Sequence, residues 1–244
     1  MSKRSRRERA EADQFRRLLL IGGGVTALAG VGTGWLVSRP ASFPALSGGG
    51  SVTDRLRQIG PAPHHQQLTG SGADLLVISD TGCAFCRDFV RTGLDPLIRF
   101  AERNGLSASY LSVGFGRSGL ISTIAAACLE REGSRLGGPD RVQALFDMTE
   151  AGVPEGALPE DMIGAAASAL GTSRFALGRC VPEESLTFRD RFEATRQLFE
   201  LERTPTFYLS APGGSGRILK LEGFTTASAM TGRLERALET GGRA

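Results

Sequence analysis

Residues 75–90, LLVISDTGCAFCRDFV, constrain the fold of this 244-residue chain more than any other segment. Residues 75–79 are apolar or small and include β-branched side chains, so they predict a strand that is buried on both faces. Residues 80–82 form the predicted turn, and beyond it the apolar residues recur at helical spacing. The sequence therefore places Cys83 at the N-terminus of a helix.

A cysteine at that position is suited to thiol chemistry. Unpaired backbone N–H groups and the positive end of the helix dipole favour thiolate over thiol, which makes Cys83 a candidate nucleophile. Cys86, one helical turn further on, lies within disulfide reach. Asp80, the nearest carboxylate in sequence, either assists proton transfer or caps the turn. The order strand, turn, CxxC, helix is the sequence signature of a thioredoxin-like redox centre.

A CxxC pair is also half of many zinc sites. Such a site needs a second pair of ligands, and the chain offers only Cys128, Cys180 and the adjacent His64 and His65, none at ligand spacing. The histidine pair lies in a polar, proline-flanked segment, so we expect it to be solvated and give it no role. We expect neither a metal site nor a cofactor.

The positive charge of the chain is concentrated at its amino end. The whole chain carries +3, whereas residues 1–17 alone carry seven Lys or Arg against three acidic residues, a net +4. The remainder therefore carries −1. Because no basic surface is left for a phosphate backbone, nucleic acid is not an expected partner.

Residues 18–38 contain no charge and, as a helix, are long enough to cross a hydrocarbon layer of roughly 30 Å. The basic residues before them and Trp35 near the far end predict a single anchor in a bacterial inner membrane, with the amino end inside and the catalytic domain in the periplasm. The alternative is a cleaved export signal, including a twin-arginine type at Arg16 and Arg17, which gives a soluble periplasmic protein.

Both interpretations export the domain, and disulfides persist outside the cytosol. The four cysteines then divide into two pairs, Cys83 with Cys86 and Cys128 with Cys180. The alternative for the second pair is two small buried apolar side chains.

The first half of the domain follows from local patterns. Residues 39–71 are rich in Pro, Ser and Gly and are predicted to be a linker with a possible short helix at 52–59. The active-site helix should run from Cys83 to about residue 104, with a kink or break near Leu94 caused by Pro96. Residues 107–113 predict a second strand, whose parallel pairing with the first makes a right-handed βαβ unit.

Helical periodicity then dominates residues 116–203, with no strand pattern among them. The predicted helices are 121–131, 139–151, 159–170, 173–180 and 184–202. Residues 206–210 and 217–221 predict an antiparallel hairpin, and 225–240 a closing helix. The predicted fold class is α/β, with a four-stranded thioredoxin-like domain at 72–115 and 204–244 that is interrupted by a helical insertion at 116–203.

Four segments, in this order, resemble the DsbA-like branch of the thioredoxin superfamily over residues 72–238. They are ISDTGCAFC, STIAAACLE followed by ALFDM, SRFALGRC, and RTPTFYL. The resemblance implies that Pro205 is cis and packs against the CxxC pair, and that Thr204 and Thr206 line an edge that receives an extended substrate. The expected catalytic residues are Cys83, Cys86 and Pro205.

The residues between the two cysteines depart from the family pattern, which usually has proline and often histidine where this chain has Ala84 and Phe85. We expect both to contact substrate. Without the histidine, a dipole or charge that helps hold the thiolate is lost. We therefore expect a less depressed Cys83 pKa and a less oxidising disulfide than in strongly oxidising members.

The expected function is exchange of disulfides with exported proteins that carry thiols or disulfides, followed by reoxidation by a membrane redox partner. Two alternatives stay open at this point. The same cysteines can serve as a dithiol reductase or isomerase dedicated to one pathway, such as cytochrome or oxidase maturation. The domain can also be a membrane-tethered module that binds a metal or a client protein without turnover.

Overall fold

The computed structural model describes residues 45–60, 65–114, 123–124, 128, 138–150, 164, 167–168, 173, 180, 188, 190–210 and 216–241. The strands are β1 (His65–Thr69), β2 (Leu75–Asp80), β3 (Ala108–Val113), β4 (Thr206–Ser210) and β5 (Ile218–Glu222). The helices are α1 (Val52–Ile59), α2 (Ala84–Thr92), α3 (Leu94–Arg103), α4 (Gly138–Glu150) and α5 (Ala227–Gly241), and residues 190–198 are also helical.

The described strands form one sheet in the order β1-β3-β2-β4-β5. Strands β2 and β3 are parallel, and the other neighbouring pairs are antiparallel. All six residues of β2 are buried, as the apolar run at its start predicts. The predicted βαβ unit and the carboxy-terminal hairpin are both confirmed, and they place β2 at the centre of the sheet.

Alternate side chains of β2 enter two separate cores, one on each face of the sheet. Leu75 and Val77 pack with residues of α2, α3, α4 and α5. Leu76 and Ile78 pack on the other face with α1 and with Phe199. The face that carries Leu75 and Val77 is therefore the one beneath the active-site helix.

The active-site helix is broken where the sequence predicted. Helix α2 ends at Thr92 and α3 begins at Leu94, and Gly93 lies between them. Pro96 falls in the first turn of α3, where its missing N–H costs no helical hydrogen bond. A Cβ at Gly93 would lie 2.7 Å from the ring of Phe224, so close packing requires glycine at the break.

The linker expectation for residues 39–71 is wrong over part of that range. Val52–Ile59 forms the possible helix, and Ser51 caps it by accepting a hydrogen bond from the Asp54 N–H. His65–Thr69 is an edge strand that pairs antiparallel with β3, which gives five strands instead of the predicted four. Its sequence, HQQLT, has little apolar alternation, because an edge strand buries little of its surface.

The segment before α1 also belongs to the domain. The buried guanidinium of Arg55 donates to the carbonyl of Ser47 at 2.6 Å and to that of Leu198. The Leu46 N–H donates to the carbonyl of Ile218 at 2.9 Å, along the free edge of β5. These contacts attach the chain to the sheet from residue 45 onward.

In the predicted insertion, α4 and the helical residues 190–198 agree with the expected helices, whereas most of residues 116–203 lie outside the described ones. The boundaries of the insertion therefore stay predictions. The anchor predicted at residues 18–38 also lies outside the described residues. Within the described ranges, no helix has the length and apolar character needed to cross a membrane.

Candidate active site

Strand β2 ends at Asp80, three residues before Cys83, which lies at the start of α2. Cys83 is the N-cap residue, with extended backbone angles of φ −93° and ψ 125°. Its N–H donates to the Asp80 carbonyl at 3.0 Å, which closes the turn between strand and helix. The Asp80 carboxylate accepts a hydrogen bond from the Gly82 N–H at 3.0 Å. Of the two roles considered for Asp80, the capping role is thus seen directly.

Both active-site cysteines are free thiols, and their environments differ. Cys83 is partly exposed, whereas Cys86 is fully buried. The Cys86 thiol donates to the Cys83 sulfur and is the main cause that lowers the pKa of Cys83 to about 6, against the opposing effect of partial burial. The pKa of Cys83 is lowered further by the N–H groups of Cys86 and Phe85 and by the Thr204 side chain. The Cys83 side chain itself forms no capping hydrogen bond with the helix. Cys83 is therefore a thiolate at neutral pH.

The environment of Cys86 has the opposite effect. Burial raises the pKa of Cys86 well above its ordinary range, and its hydrogen bond to Cys83 holds the proton in place. The Asp80 N–H donates to the Cys86 sulfur at 3.4 Å. The site thus pairs an accessible thiolate with a buried thiol that stays protonated.

The loop before β4 lies against the nucleophile. The Thr204–Pro205 bond is cis, as the resemblance implies, and Pro205 is buried. The Cys83 sulfur is 3.5 Å from the Thr204 carbonyl oxygen. Thr206 is fully buried, and its hydroxyl donates to the Arg203 carbonyl at 2.7 Å. Its side chain is therefore not exposed at the edge where the resemblance implies that substrate binds.

The two residues between the cysteines face solvent. Ala84 is exposed, and Phe85, with 63% of its surface accessible, is the large exposed hydrophobic side chain of the described residues. An exposed phenyl ring next to a thiolate offers apolar contact area at the point of reaction. Both positions are thus accessible from solvent, and their contact with substrate stays a prediction.

Two buried hydroxyls near Cys86 did not stand out in the sequence. Ser79 and Tyr110 are fully buried, on the same face of the sheet as α2. Among the described residues, neither hydroxyl has a hydrogen-bond partner of standard geometry. Burial raises the pKa of both Cys86 and Tyr110, and Ser79 opposes that rise in each. The polar residue that ends the apolar run LLVIS was the available signal, but its significance depends on what packs above it.

The second cysteine pair forms a disulfide. Cys128 and Cys180 are bonded, with their Cα atoms 5.7 Å apart, and both are buried. The expected disulfide is therefore present, and Cys83 and Cys86 are the free thiols of the described residues. No group of three or more His, Cys, Asp or Glu in the described part of the chain is placed to hold a metal ion.

The solvated position expected for the histidines is wrong for His65, and His64 lies outside the described residues. His65 is part of β1, its Nε2 is buried, and burial lowers the pKa of its imidazole. A cavity of about 420 Å³ lies on this side of the domain, remote from the cysteines, and is lined by Thr53, Leu56, Arg57, Gly60, His65, Gly72 and Ala73.

Comparison with solved structures identifies the fold. The crystal structure of alpha-DsbA1 from Wolbachia pipientis matches with a TM-score of 0.53 and 14% identity, over 74% of this chain and 94% of that chain. A double cysteine-to-alanine variant of that protein matches with a TM-score of 0.55 and 13% identity over the same shares. Comparison with protein-family models and with curated protein sequences finds no match. The described domain has the DsbA-like thioredoxin fold.

Proposed function

We propose that this protein is a thiol–disulfide oxidoreductase that exchanges disulfides with other proteins through Cys83 and Cys86. The observation that carries the proposal is the split between the two thiols: an accessible Cys83 whose pKa is lowered to about 6, and a buried Cys86 whose pKa is raised. A thiolate is both the better nucleophile and the better leaving group in disulfide exchange. The DsbA-like fold around this pair is consistent with that chemistry.

In the oxidising direction, a substrate thiolate attacks Cys83 of the oxidised pair. A mixed disulfide forms, the bond between Cys83 and Cys86 breaks, and Cys86 leaves with the electron pair. A second substrate thiolate then attacks the substrate sulfur of the mixed disulfide, and Cys83 leaves as a thiolate. In the reducing direction, Cys83 attacks a substrate disulfide and Cys86 resolves the mixed disulfide.

The surroundings of Cys83 favour an extended polypeptide as substrate. Thr204 places a backbone carbonyl 3.5 Å from the reacting sulfur, where a substrate main chain can pass. Phe85, two residues after Cys83, adds an exposed apolar surface, which suits the apolar side chains that an unfolded protein presents. Thr204, Ala84 and Phe85 are therefore the proposed substrate contacts.

We place this exchange outside the cytosol. The buried disulfide between Cys128 and Cys180 supports an oxidising compartment, since such bonds are rare where thiols are kept reduced. Residues 18–38 supply either a membrane anchor or an export signal. A membrane-bound redox partner that restores the oxidised pair completes the proposed cycle.

The test is turnover with protein substrates, measured in both directions. The full-length protein should accelerate oxidation of a reduced, unfolded ribonuclease or reduction of insulin, and the favoured direction follows from the reduction potential of the Cys83–Cys86 pair. Cys83→Ser should abolish both reactions, whereas the double variant Cys128→Ser, Cys180→Ser keeps the reactive pair and should retain activity at a temperature where it is folded. Equal rates with wild type and Cys83→Ser would exclude the proposal.

A further inference from the structure

Buried hydroxyl groups are concentrated beneath the active-site helix. Strand β2 presents Leu75, Val77 and Ser79 to that side, and β3 presents Ala108, Tyr110 and Ser112, because side chains alternate along each strand. In the register of the parallel pair, Val77 is opposite Tyr110 and Ser79 is opposite Ser112. The apolar character of both strands thus ends in a polar patch at the level of Cys86.

The hydroxyls of this patch are not equivalent. Ser112 and Thr123 satisfy each other, with their oxygens 2.9 Å apart. Ser79 and Tyr110 are equally buried, but their hydroxyls lack a partner of standard geometry in the described part of the chain. An unpaired buried hydroxyl destabilises the folded state, whereas the alanine or phenylalanine equivalent lacks the unpaired group. Retaining both hydroxyls therefore needs another explanation.

The surroundings of Cys86 explain why the Ser79 and Tyr110 hydroxyls are retained. The Asp80 N–H donates to its sulfur, and Ser79, the preceding residue, has its side chain on the face beneath α2. Burial raises the pKa of both Cys86 and Tyr110, and the Ser79 hydroxyl opposes that rise in each group. The Thr204 side chain also lowers the pKa of Cys86 from the loop side. Among the described residues, Cys83 and Tyr110 are titratable groups that interact with Cys86, and the charge of Asp80 acts on Tyr110.

Cys86 needs different hydrogen-bond partners in its resting and reacting states. In the dithiol state Cys86 donates to Cys83, so it needs no additional donor. Once Cys83 is bonded to substrate, that acceptor is gone and a thiolate must exist on Cys86 in a fully buried position. A buried anion without hydrogen-bond donors is very unfavourable. Hydroxyl groups that rotate to suit their partner can supply those donors in this state alone.

We propose that Ser79 and Tyr110 form a hydroxyl relay that stabilises the Cys86 thiolate while Cys83 is bonded to substrate. Ser79 Oγ–H donates to Cys86 Sγ, and Tyr110 Oη–H donates to Ser79 Oγ. Ser79 acts on the reacting sulfur, whereas Tyr110 is a positioning residue that acts through Ser79. This inference rests on the proposed exchange function.

Ser79 and Tyr110 are neither consumed nor chemically changed in the exchange reaction. In the oxidising direction, the bond between the substrate sulfur and Cys83 forms, the bond between Cys83 and Cys86 breaks, and the electron pair stays on Cys86. The second substrate thiol ionises and displaces Cys83 as a thiolate. Of the two protons that the substrate thiols release, one ends on Cys86 and the other in solvent. Ser79 and Tyr110 keep their own protons throughout.

The two thiols can be observed separately in one stopped-flow experiment. The reduced full-length protein is mixed with excess dithiobis-nitrobenzoate, a chromogenic aryl disulfide. A bimolecular phase reports attack by Cys83 and releases the first aryl thiolate. A unimolecular phase reports attack by Cys86 on the mixed disulfide and releases the second. Cys128 and Cys180 are bonded to each other and are silent.

We expect Ser79→Ala to slow the second phase by about tenfold or more at pH 7 and to move its pH profile upward, since a hydrogen bond to a charged group is lost. Tyr110→Phe should slow it by about threefold or more, the loss expected for one neutral hydrogen bond. The first phase and its pH profile should be unchanged in both variants. Ser112→Ala, the matched control, removes an equally buried hydroxyl and should leave both phases unchanged.

Second phases at the wild-type rate in Ser79→Ala and Tyr110→Phe would overturn the relay, as would equal slowing by Ser112→Ala. If Ser79→Ala does not fold, Tyr110→Phe decides alone, since it removes a single oxygen and keeps the ring. A first phase that follows the pH dependence of an ordinary thiol in the wild-type protein would instead overturn the proposed function. Failure of the relay therefore appears in the second phase, and failure of the proposed function in the first.

Discussion

The Cys83 sulfur lies 3.5 Å from the carbonyl oxygen of Thr204, although 121 positions separate the two residues along the chain. This contact joins the start of the active-site helix to the loop that precedes β4. Cys86 donates a hydrogen bond to the same sulfur. The reactivity of Cys83 therefore depends on one neighbour from its own helix and one from a distant loop.

The first prediction concerns the hydrogen bond between the two cysteines. Alkylation of Cys83 by iodoacetamide should show a pH midpoint near 6 in the reduced wild-type protein. Cys86→Ala removes the principal donor to the thiolate and should raise the midpoint by about one pH unit or more. Cys86→Ser keeps a hydroxyl donor and should give an intermediate value. An unchanged midpoint in Cys86→Ala would show that the helix amides and the Thr204 side chain hold the thiolate without Cys86.

The second prediction concerns the stability of the reduced protein as a function of pH. The pKa of Cys83 is lower in the folded protein, about 6, than the value of about 8.5 in an unfolded chain. Its contribution to the free energy of unfolding should therefore rise as pH increases from 6 to 8.5 and disappear as pH falls through 6. Above about pH 8.5 the raised pKa of Cys86 should act in the opposite direction, because only the unfolded thiol ionises readily.

The measurement is urea unfolding of reduced wild type and reduced Cys83→Ser at several pH values. The difference between the two free energies should follow the stated window, because the other titrating groups are common to both proteins. A difference that stays constant from pH 5 to pH 8 would contradict a lowered Cys83 pKa.

The third prediction concerns the residue at position 85. Phe85→His places an imidazole beside the Cys83 thiolate at an exposed position, so it should stabilise the reduced form with little cost in stability. An interaction of about 0.5–1 kcal/mol corresponds to a reduction potential that is about 10–20 mV more oxidising. The potential is obtained from equilibration with glutathione. Phe85→Leu, which adds no dipole, should leave it unchanged; a shift of equal size in both variants would assign the effect to loss of the ring.

The fourth prediction concerns two glycines in different environments. A Cβ at Gly93 would lie 2.7 Å from the ring of Phe224 and 2.8 Å from that of Phe89, so Gly93→Ala should destabilise the domain by about 1–3 kcal/mol. Gly232 lies within α5, and its nearest neighbour is the flexible end of Arg236 at 3.6 Å. Gly232→Ala should therefore stabilise the domain by about 0.5–1 kcal/mol. Urea unfolding measures both, and opposite signs are the expected result.

The fifth prediction tests whether the chain before α1 is part of the domain. Arg55→Met leaves the carbonyls of Ser47 and Leu198 without their buried donor and should cost about 2–3 kcal/mol. Arg57→Met, on the same helix, removes only an exposed ion pair with Asp54 and should leave the free energy of unfolding nearly unchanged. Hydrogen exchange at the Leu46 amide should speed up in Arg55→Met alone. Equal exchange in both variants would mean that Arg55 does not hold this segment.

Features encoded over a few neighbouring residues could be predicted from the sequence. The buried strand, the helix that starts after Cys83, the break next to Leu94 and the hairpin of β4 and β5 each follow from a local period or from turn chemistry. The cis bond before Pro205 followed from the resemblance to a known family, since the bare segment is equally typical of an ordinary strand. These local features were enough to place both reactive sulfurs.

The tertiary structure alone decided which side chains meet. Strand β1 is held at the sheet edge by β3, about forty positions away, and its own sequence carries little strand pattern. Thr206 and Phe85 were both expected to face substrate, yet packing buries one and exposes the other. The position of Tyr110 near Ser79 and Cys86 requires the register of β2 on β3 and the seating of α2 above them. Periodicity fixes which face of an element is apolar, whereas the neighbours of that face are fixed only when distant elements pack together.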